Sequence, residues 1–197
     1  MKTEESIQII EEMIATARKD VGGDGYLYLS WGYLVLVSGI MHYLLLMITT
    51  FSMPWLPWPI LMSLGGINQF IYIYRQEKNR KRSVSAVERM LGYLWGAVFI
   101  CLILVLGMVG YKEFIVEQNS QLAYVLVLVL YGIGTFVSGG VLQFKPLIFG
   151  GIASWVIALV AYQVSFDLQL LLLSLAIVVS YILPGHLLIA KQRQPHV

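Results

Sequence analysis

The stretch "YLYLSWGYLVLVSGIMHYLLLMITT" runs from Tyr26 to Thr50 without a single charged residue. At ~1.5 Å per residue a helix of that length exceeds the ~30 Å hydrocarbon layer of a bilayer. A soluble helix would need a polar face, and none can be drawn on this one. Composition points the same way. Of 197 residues, 58% are hydrophobic and 12% charged, against roughly 45–50% and about 25% for an ordinary soluble domain. The charges lie in short islands between apolar tracts, so the fold class expected is an all-α polytopic membrane protein. Continuously apolar runs, rather than alternating ones, favour helices over a barrel.

Working outward, the sequence predicts six transmembrane helices, over about 26–50, 55–74, 91–110, 121–142, 147–164 and 168–190. The domain plan is a cytoplasmic acidic segment with a glycine hinge over 1–25, the bundle over 26–190, and a cytoplasmic tail over 191–197. No cleaved signal is expected, because the N-terminus is acidic and its first apolar run is too long for a signal core. The single cysteine, Cys101, lies inside a span and reads as a packing residue.

Orientation follows from the basic residues. With the N-terminus inside, Lys2, Arg18, Lys19, Arg75, Lys78, Arg80, Lys81, Arg82, Arg89, Lys145, Lys191 and Arg193 are all cytoplasmic, and Lys112 alone is outside. That is the distribution the positive-inside rule requires. The run "YRQEKNRKR" (Tyr74–Arg82) is therefore a cytoplasmic stop between the second and third spans. Its cations Arg75, Lys78, Arg80, Lys81 and Arg82 are candidates to contact anionic lipid headgroups or a protein partner. Nucleic acid is not an expected partner, since a short loop offers neither a second basic surface nor interleaved aromatics. On the outer side "MPWLPWP" (Met53–Pro59) suits a turn, with Trp55 and Trp58 placed for an interfacial belt. Trp31 and Trp95 are expected to form the inner belt.

The N-terminal segment "TEESIQIIEEMIATARKD" has helical periodicity, with Ile7, Ile10, Ile14 and Ala17 on one stripe and Met13 beside it. Glu4 and Glu5 suit the positive end of the helix dipole, and Arg18 and Lys19 the negative end. "VGGDG" (Val21–Gly25) then ends the helix. Residues 1–25 carry six acids and three bases, whereas 75–89 carry six bases and two acids. The acidic helix is expected to lie across the inner ends of the bundle near the basic loop.

Inside the spans the candidate polar site comprises His42, Asn68, Gln69, Gln143, Pro184 and His186. No Asp, Glu, Lys or Arg lies deep in any span, which argues against a proton pump built on carboxylates and against a voltage sensor. His42 and His186 differ by ~18 Å in depth, too far for a shared metal. No metal or other cofactor is expected. Ser38, one turn before His42, is the expected local partner of its ring. Asn68 and Gln69 follow Gly65-Gly66, where close helix contact with an amide bond across it is expected. "SYILPGH" (Ser180–His186) predicts a break, because Pro184 removes a donor and Gly185 loosens the chain. Ser138 and His186 superficially match the dyad of rhomboid intramembrane proteases, but Phe136 stands where that motif has glycine. Ser138 also falls near the inner face.

Two pairs of segments echo each other. "WGYLVLVSG" (Trp31–Gly39) matches "YGIGTFVSG" (Tyr131–Gly139), and Gly-Gly-Ile occurs at 65–67 and at 150–152. Three spans per half would make this an inverted repeat, as in many secondary transporters.

Taken together, "ESIQIIEEMI", "GYLYLSWGYLVL", "LPWPILMSLGGI", "YGIGTFVSGGVLQFKPLIFGGI" and "SYILPGHLL" resemble a group of small bacterial six-span inner-membrane proteins of no known activity. The resemblance implies the architecture and a bacterial inner membrane, and transfers no functional residue. The expected function is non-enzymatic: an anchor or sensor acting through the N-terminal helix and the basic loop. The alternative is a small-solute transporter on a 3+3 inverted repeat. No oligomeric state is implied.

Overall fold

A computed structural model describes residues 6–9, 25–48, 52–79, 85–115 and 122–193. Its helices are α1 (Gly25–Ile48), α2 (Pro57–Asn79), α3 (Ala86–Ile115), α4 (Leu122–Leu142), α5 (Lys145–Ala161), α6 (Phe166–Ile177) and α7 (Leu183–Arg193). A π-helical turn, Val178–Ile182, joins the last two into one rod. Residues 6–9 are helical and exposed, with Ile7 and Ile9 both about half open. The rest of the expected N-terminal helix lies outside the described residues, as do Arg80, Lys81 and Arg82.

Four of these elements are long and apolar enough to cross a membrane: α1, residues 86–110 of α3, α4, and the α6–α7 rod. The expectation of six spans is therefore corrected to four. It fails at α5 because 17 residues reach only ~25 Å. It fails at α2 because Pro57, Pro59, Asn68, Gln69 and the glycine pair dilute the apolar run of a helix that is otherwise long enough. The protein is an all-α, multi-pass membrane protein with four candidate spans among the described residues.

Neighbouring helices run antiparallel, and side-chain contacts give the register. His42 meets Trp58 while Tyr26 meets Asn68, so α2 descends along α1. Phe166 lies beside His42, and Gly25 packs on Gly185 and Ile189, so the α6–α7 rod also runs against α1. Gly139 packs on Ile148 and Gly151 on Phe136, which sets α5 against α4. The start of α3 joins the end of α4, where Val87 and Leu91 share a core with Leu142, Phe144, Leu147 and Leu188. One pole thus collects the starts of α1, α3 and α5 and the ends of α2, α4 and α7. Arg75, Lys78, Arg89, Lys145 and Lys191 are all exposed there, Lys191 with its ammonium 5.6 Å from the centre of the Phe144 ring.

Local chemistry explains the joints. Ser85 and Glu88 form a capping box at the start of α3: the Glu88 amide donates to Ser85 Oγ at 3.1 Å, and the Ser85 amide to Glu88 Oε2 at 2.8 Å. Between α4 and α5 the chain turns in two residues. Gln143 adopts φ 52°, and the Phe144 amide reaches back to the Gly139 carbonyl at 2.8 Å, a Schellman ending with glutamine in glycine's usual place. The end of α5 is closed from the next helix, where Gln169 Nε2 donates to the Ala161 carbonyl at 2.9 Å. The π-turn sits just before Pro184, whose ring nitrogen has no proton to continue the α-helical ladder.

The core is built on close backbone approach. A Cβ added to Gly150 would stand 2.7 Å from Ser180 Cα, and one on Gly139 2.6 Å from the Ile148 nitrogen. Buried hydroxyls are turned back on their own helices: Ser38 to Leu34, Thr135 to Tyr131, Ser174 to Leu170 and Ser180 to Ala176, each to the carbonyl four residues earlier. Such back-bonding satisfies a hydroxyl without opening the interior to water.

Candidate functional site: aromatic hubs inside the bundle

The six polar positions expected to form one intramembrane site are not brought together. Asn68 and Gln69 tie α2 to α1: the Asn68 amide donates to Tyr26 Oη at 3.1 Å, and the Trp31 indole N–H donates to Gln69 Oε1. Of the glycine pair before them, Gly65 packs on Leu34 while Gly66 faces open space. Gln143 is the exposed turn residue at the basic pole. His186 is exposed on α7, with its Nε2 2.9 Å from the Tyr33 hydroxyl. Pro184 is buried behind the π-turn. Ser138 and His186 have different partners, since the Trp95 indole donates to Ser138 Oγ at 3.1 Å. Trp31 and Trp95, expected as an inner belt, are half-buried and spend their N–H groups on neighbouring helices instead.

His42 is the exception, because structure gathers side chains around it. It is 3% exposed, and the Trp58 indole N–H of α2 donates to its Nδ1 at 3.0 Å. The Tyr124 hydroxyl of α4 stands 3.1 Å from the same nitrogen. Phe166, first residue of α6, lies edge-on at 5.9 Å between ring centres and contacts Tyr124 at 5.3 Å. An indole N–H can only donate, so Nδ1 holds its lone pair and the imidazole proton sits on Nε2. Ser38 is not the partner; its hydroxyl is taken by Leu34.

A second hub lies nearer the basic pole. Tyr181, inside the π-turn, is enclosed by Tyr131 at 5.4 Å, Trp95 at 5.9 Å and Tyr28 at 6.0 Å between ring centres. These rings touch one another edge-on and fill the space between them. The Tyr181 hydroxyl is buried without a hydrogen-bond partner, as are Ser154 Oγ and Gln169 Oε1. An open groove of about 630 Å³ runs along α4 and α5, lined by Val125, Val129, Ile133, Trp155, Ala158, Leu159 and Tyr162. It offers no polar handle to a solute, because the Trp155 N–H is bound to the Val129 carbonyl at 3.1 Å.

Trp58, Tyr124, Gln169 and Tyr181 were not singled out as interior polar groups by the sequence. Trp58 and Tyr124 read as interface and span residues, and only the register between α1, α2 and α4 brings both to His42. Gln169 had one available signal, a lone amide two residues into an otherwise apolar span.

Among the described residues no group of three or more His, Cys, Asp or Glu side chains is placed to hold a metal ion. Protein-family models, curated proteins and solved structures were compared with the chain, and none matches it. The resemblance to small six-span bacterial proteins is corrected accordingly: with four candidate spans and no matching relative, it supports neither a family nor a function. The class that stands is a multi-pass helical membrane protein without a catalytic constellation among its described residues.

Proposed function

We propose that this protein is a non-catalytic membrane anchor that works at its basic pole. The pole faces the cytoplasm, as the inner membrane of a bacterium would have it, and binds anionic lipid headgroups. The acidic N-terminal segment leads into α1 at this pole, where a protein partner would meet it. The observation that carries this reading is the placement of Arg75, Lys78, Arg89, Lys145 and Lys191 as exposed side chains at one end of the bundle. Each such cation near an anionic surface contributes about 1 kcal/mol of attraction. The close packing supports it too: glycines meet backbone across helix pairs, and the hydroxyls of Ser38, Thr135, Ser174 and Ser180 are satisfied within their own helices.

The transporter reading has one observation in its favour, the π-turn before Pro184, since such turns frequently mark functional sites. Gly150 packs directly on Ser180 in that turn, however, and occupies the space a solute would need.

The test is lipid retention. The full chain is exchanged into vesicles of mixed phosphatidylethanolamine and phosphatidylglycerol, extracted gently and weighed by native mass spectrometry. Replacing Arg75, Lys78, Arg89, Lys145 and Lys191 with glutamine together should cut bound phosphatidylglycerol several-fold. Equal retention in the two proteins would refute a lipid-binding basic pole.

A further inference from the structure

We propose that His42 is a proton-binding site that selects which neighbouring helix α1 is tied to. Its Nδ1 stands between two groups of different capability. Trp58, on α2, carries an indole N–H at 3.0 Å that donates and never accepts. Tyr124, on α4, carries a hydroxyl at 3.1 Å that does both. With the ring neutral, Nδ1 accepts from Trp58 and α2 is held to α1. When a proton binds Nδ1, the new N–H donates to Tyr124 Oη, and the lone pair that held Trp58 is gone. Two N–H groups then face each other across the Trp58 contact. The α1–α4 link is strengthened by a charged donor, while the α1–α2 link at this level is broken.

His42 is six residues before the end of α1 at Ile48, ~9 Å along the axis, and Trp58 is the second residue of α2. The site is therefore close to the pole opposite the basic one, within reach of protons from that side. From α1, Ser38 is one turn away and bound to Leu34. From α2 comes Trp58, with Arg75, Glu77 and Lys78 at the far pole. From α4 comes Tyr124, the one titratable group hydrogen-bonded to the ring. From α6 comes Phe166, followed by the partly exposed Asp167. Among these neighbours the Tyr124 hydroxyl is the acceptor placed for the new N–H.

The connection matters because α2 is tied to α1 near both of its ends. Near the basic pole lie the Tyr26–Asn68 and Trp31–Gln69 bonds; at the opposite pole lies Trp58–His42. Releasing the last removes the polar tie of α2 to α1 at that pole while the Trp58 ring keeps its contact with Tyr124, 6.0 Å between centres, so this end of α2 shifts its attachment from α1 towards α4.

The experiment uses the full chain in lipid nanodiscs, labelled with ¹⁵N at histidine and tryptophan and titrated across roughly pH 8 to 5. At the upper end the His42 ring should show the Nε2–H tautomer and the Trp58 indole a hydrogen-bonded proton. Acidification should move both signals in one shared transition. His42→Asn, whose Oδ1 can stand in for Nδ1 but does not titrate, should keep the Trp58 bond and abolish its pH dependence. Tyr124→Phe removes the acceptor for the new N–H and should lower proton affinity about tenfold, moving the midpoint by about one pH unit. A His42 ring that stays neutral throughout, or titrates while the Trp58 signal holds still, would overturn the proposal. So would a Trp58 transition that survives in His42→Asn. Should either variant fail to fold, coincidence of the two wild-type transitions decides alone.

Discussion

Helices α3 and α4 each contain four glycines; three of those in α4 are closely approached by neighbours, Gly140 faces open space, and none in α3 is approached. In α4, a Cβ on Gly132 would collide with the Trp155 indole, one on Gly134 would stand 2.8 Å from the Trp95 ring, and one on Gly139 2.6 Å from the Ile148 nitrogen. In α3, a Cβ on Gly92, Gly96, Gly107 or Gly110 would meet nothing within 4 Å. The burial of the two helices differs to match. Within their most apolar stretches, 44% of α4 is buried but only 6% of α3. A membrane offers no hydrophobic drive to press two apolar helices together, so association rests on close packing and on hydrogen bonds. The pair α4–α5 and the α6–α7 rod solve this with glycine against backbone. Helix α2 solves it with side-chain bonds to α1, and α3 touches the bundle mainly near its start and through Trp95.

The largest expected effect breaks the glycine-packed half. Gly139→Leu would force an isobutyl group into the backbone of α5, and the variant should give no monodisperse peak after extraction. A folded, monodisperse Gly139→Leu protein would mean that the α4–α5 contact is not as close as described. Next comes the polar closure of α5. Gln169→Ala removes the 2.9 Å bond to the Ala161 carbonyl and leaves it only the 3.4 Å contact from the Val164 amide, and the loss should be about 1–2 kcal/mol in a chemical unfolding series. The exposed Gln163, changed the same way, should cost under about 0.5 kcal/mol. Equal losses would assign the effect to helix composition instead. Smaller again is the capping box that starts α3. Ser85→Ala should cost about 1 kcal/mol, read as earlier exchange of the amides of residues 86–89. In the open half the sign reverses. Gly92→Ala should be neutral or stabilising by up to about 1 kcal/mol, because alanine is the better helix former and nothing stands in its way.

The same contrast explains what could be read in the chain and what could not. The apolar tract from Tyr26 placed α1 almost to the residue, and the basic residues between tracts marked the pole where helix ends gather. Pro184 announced a break, and a π-turn lies immediately before it. The expectation of six spans fails where length or apolarity falls short: α5 is too short, and α2 is too rich in proline, glycine and amide. Glycine was the deeper difficulty. Gly65-Gly66 and Gly150-Gly151 look alike in sequence, yet Gly66 faces open space while both Gly150 and Gly151 press on backbone. A glycine states that close approach is allowed and says nothing about whether a neighbour takes it up. The candidate polar residues lie apart for a related reason. Asn68, Gln69, Gln143 and His186 share the property of being polar within or beside apolar runs, but Asn68, Gln69 and His186 turn to three different partners and Gln143 is an exposed turn residue. His42 became a hub only because the register of α2 and α4 delivers Trp58 and Tyr124 to one nitrogen, a long-range fact that no local spacing encodes.

The most direct measurement is a pair of unfolding curves in the same lipid nanodisc, for Gly150→Ala and Gly96→Ala. A packed core around the π-turn predicts a loss of about 1–3 kcal/mol for the first, whose Cβ would press on Ser180 Cα. It predicts no loss, or a gain of up to about 1 kcal/mol, for the second. Equal effects, or a greater loss at Gly96, would contradict the division of the molecule into a glycine-packed core and an open α3.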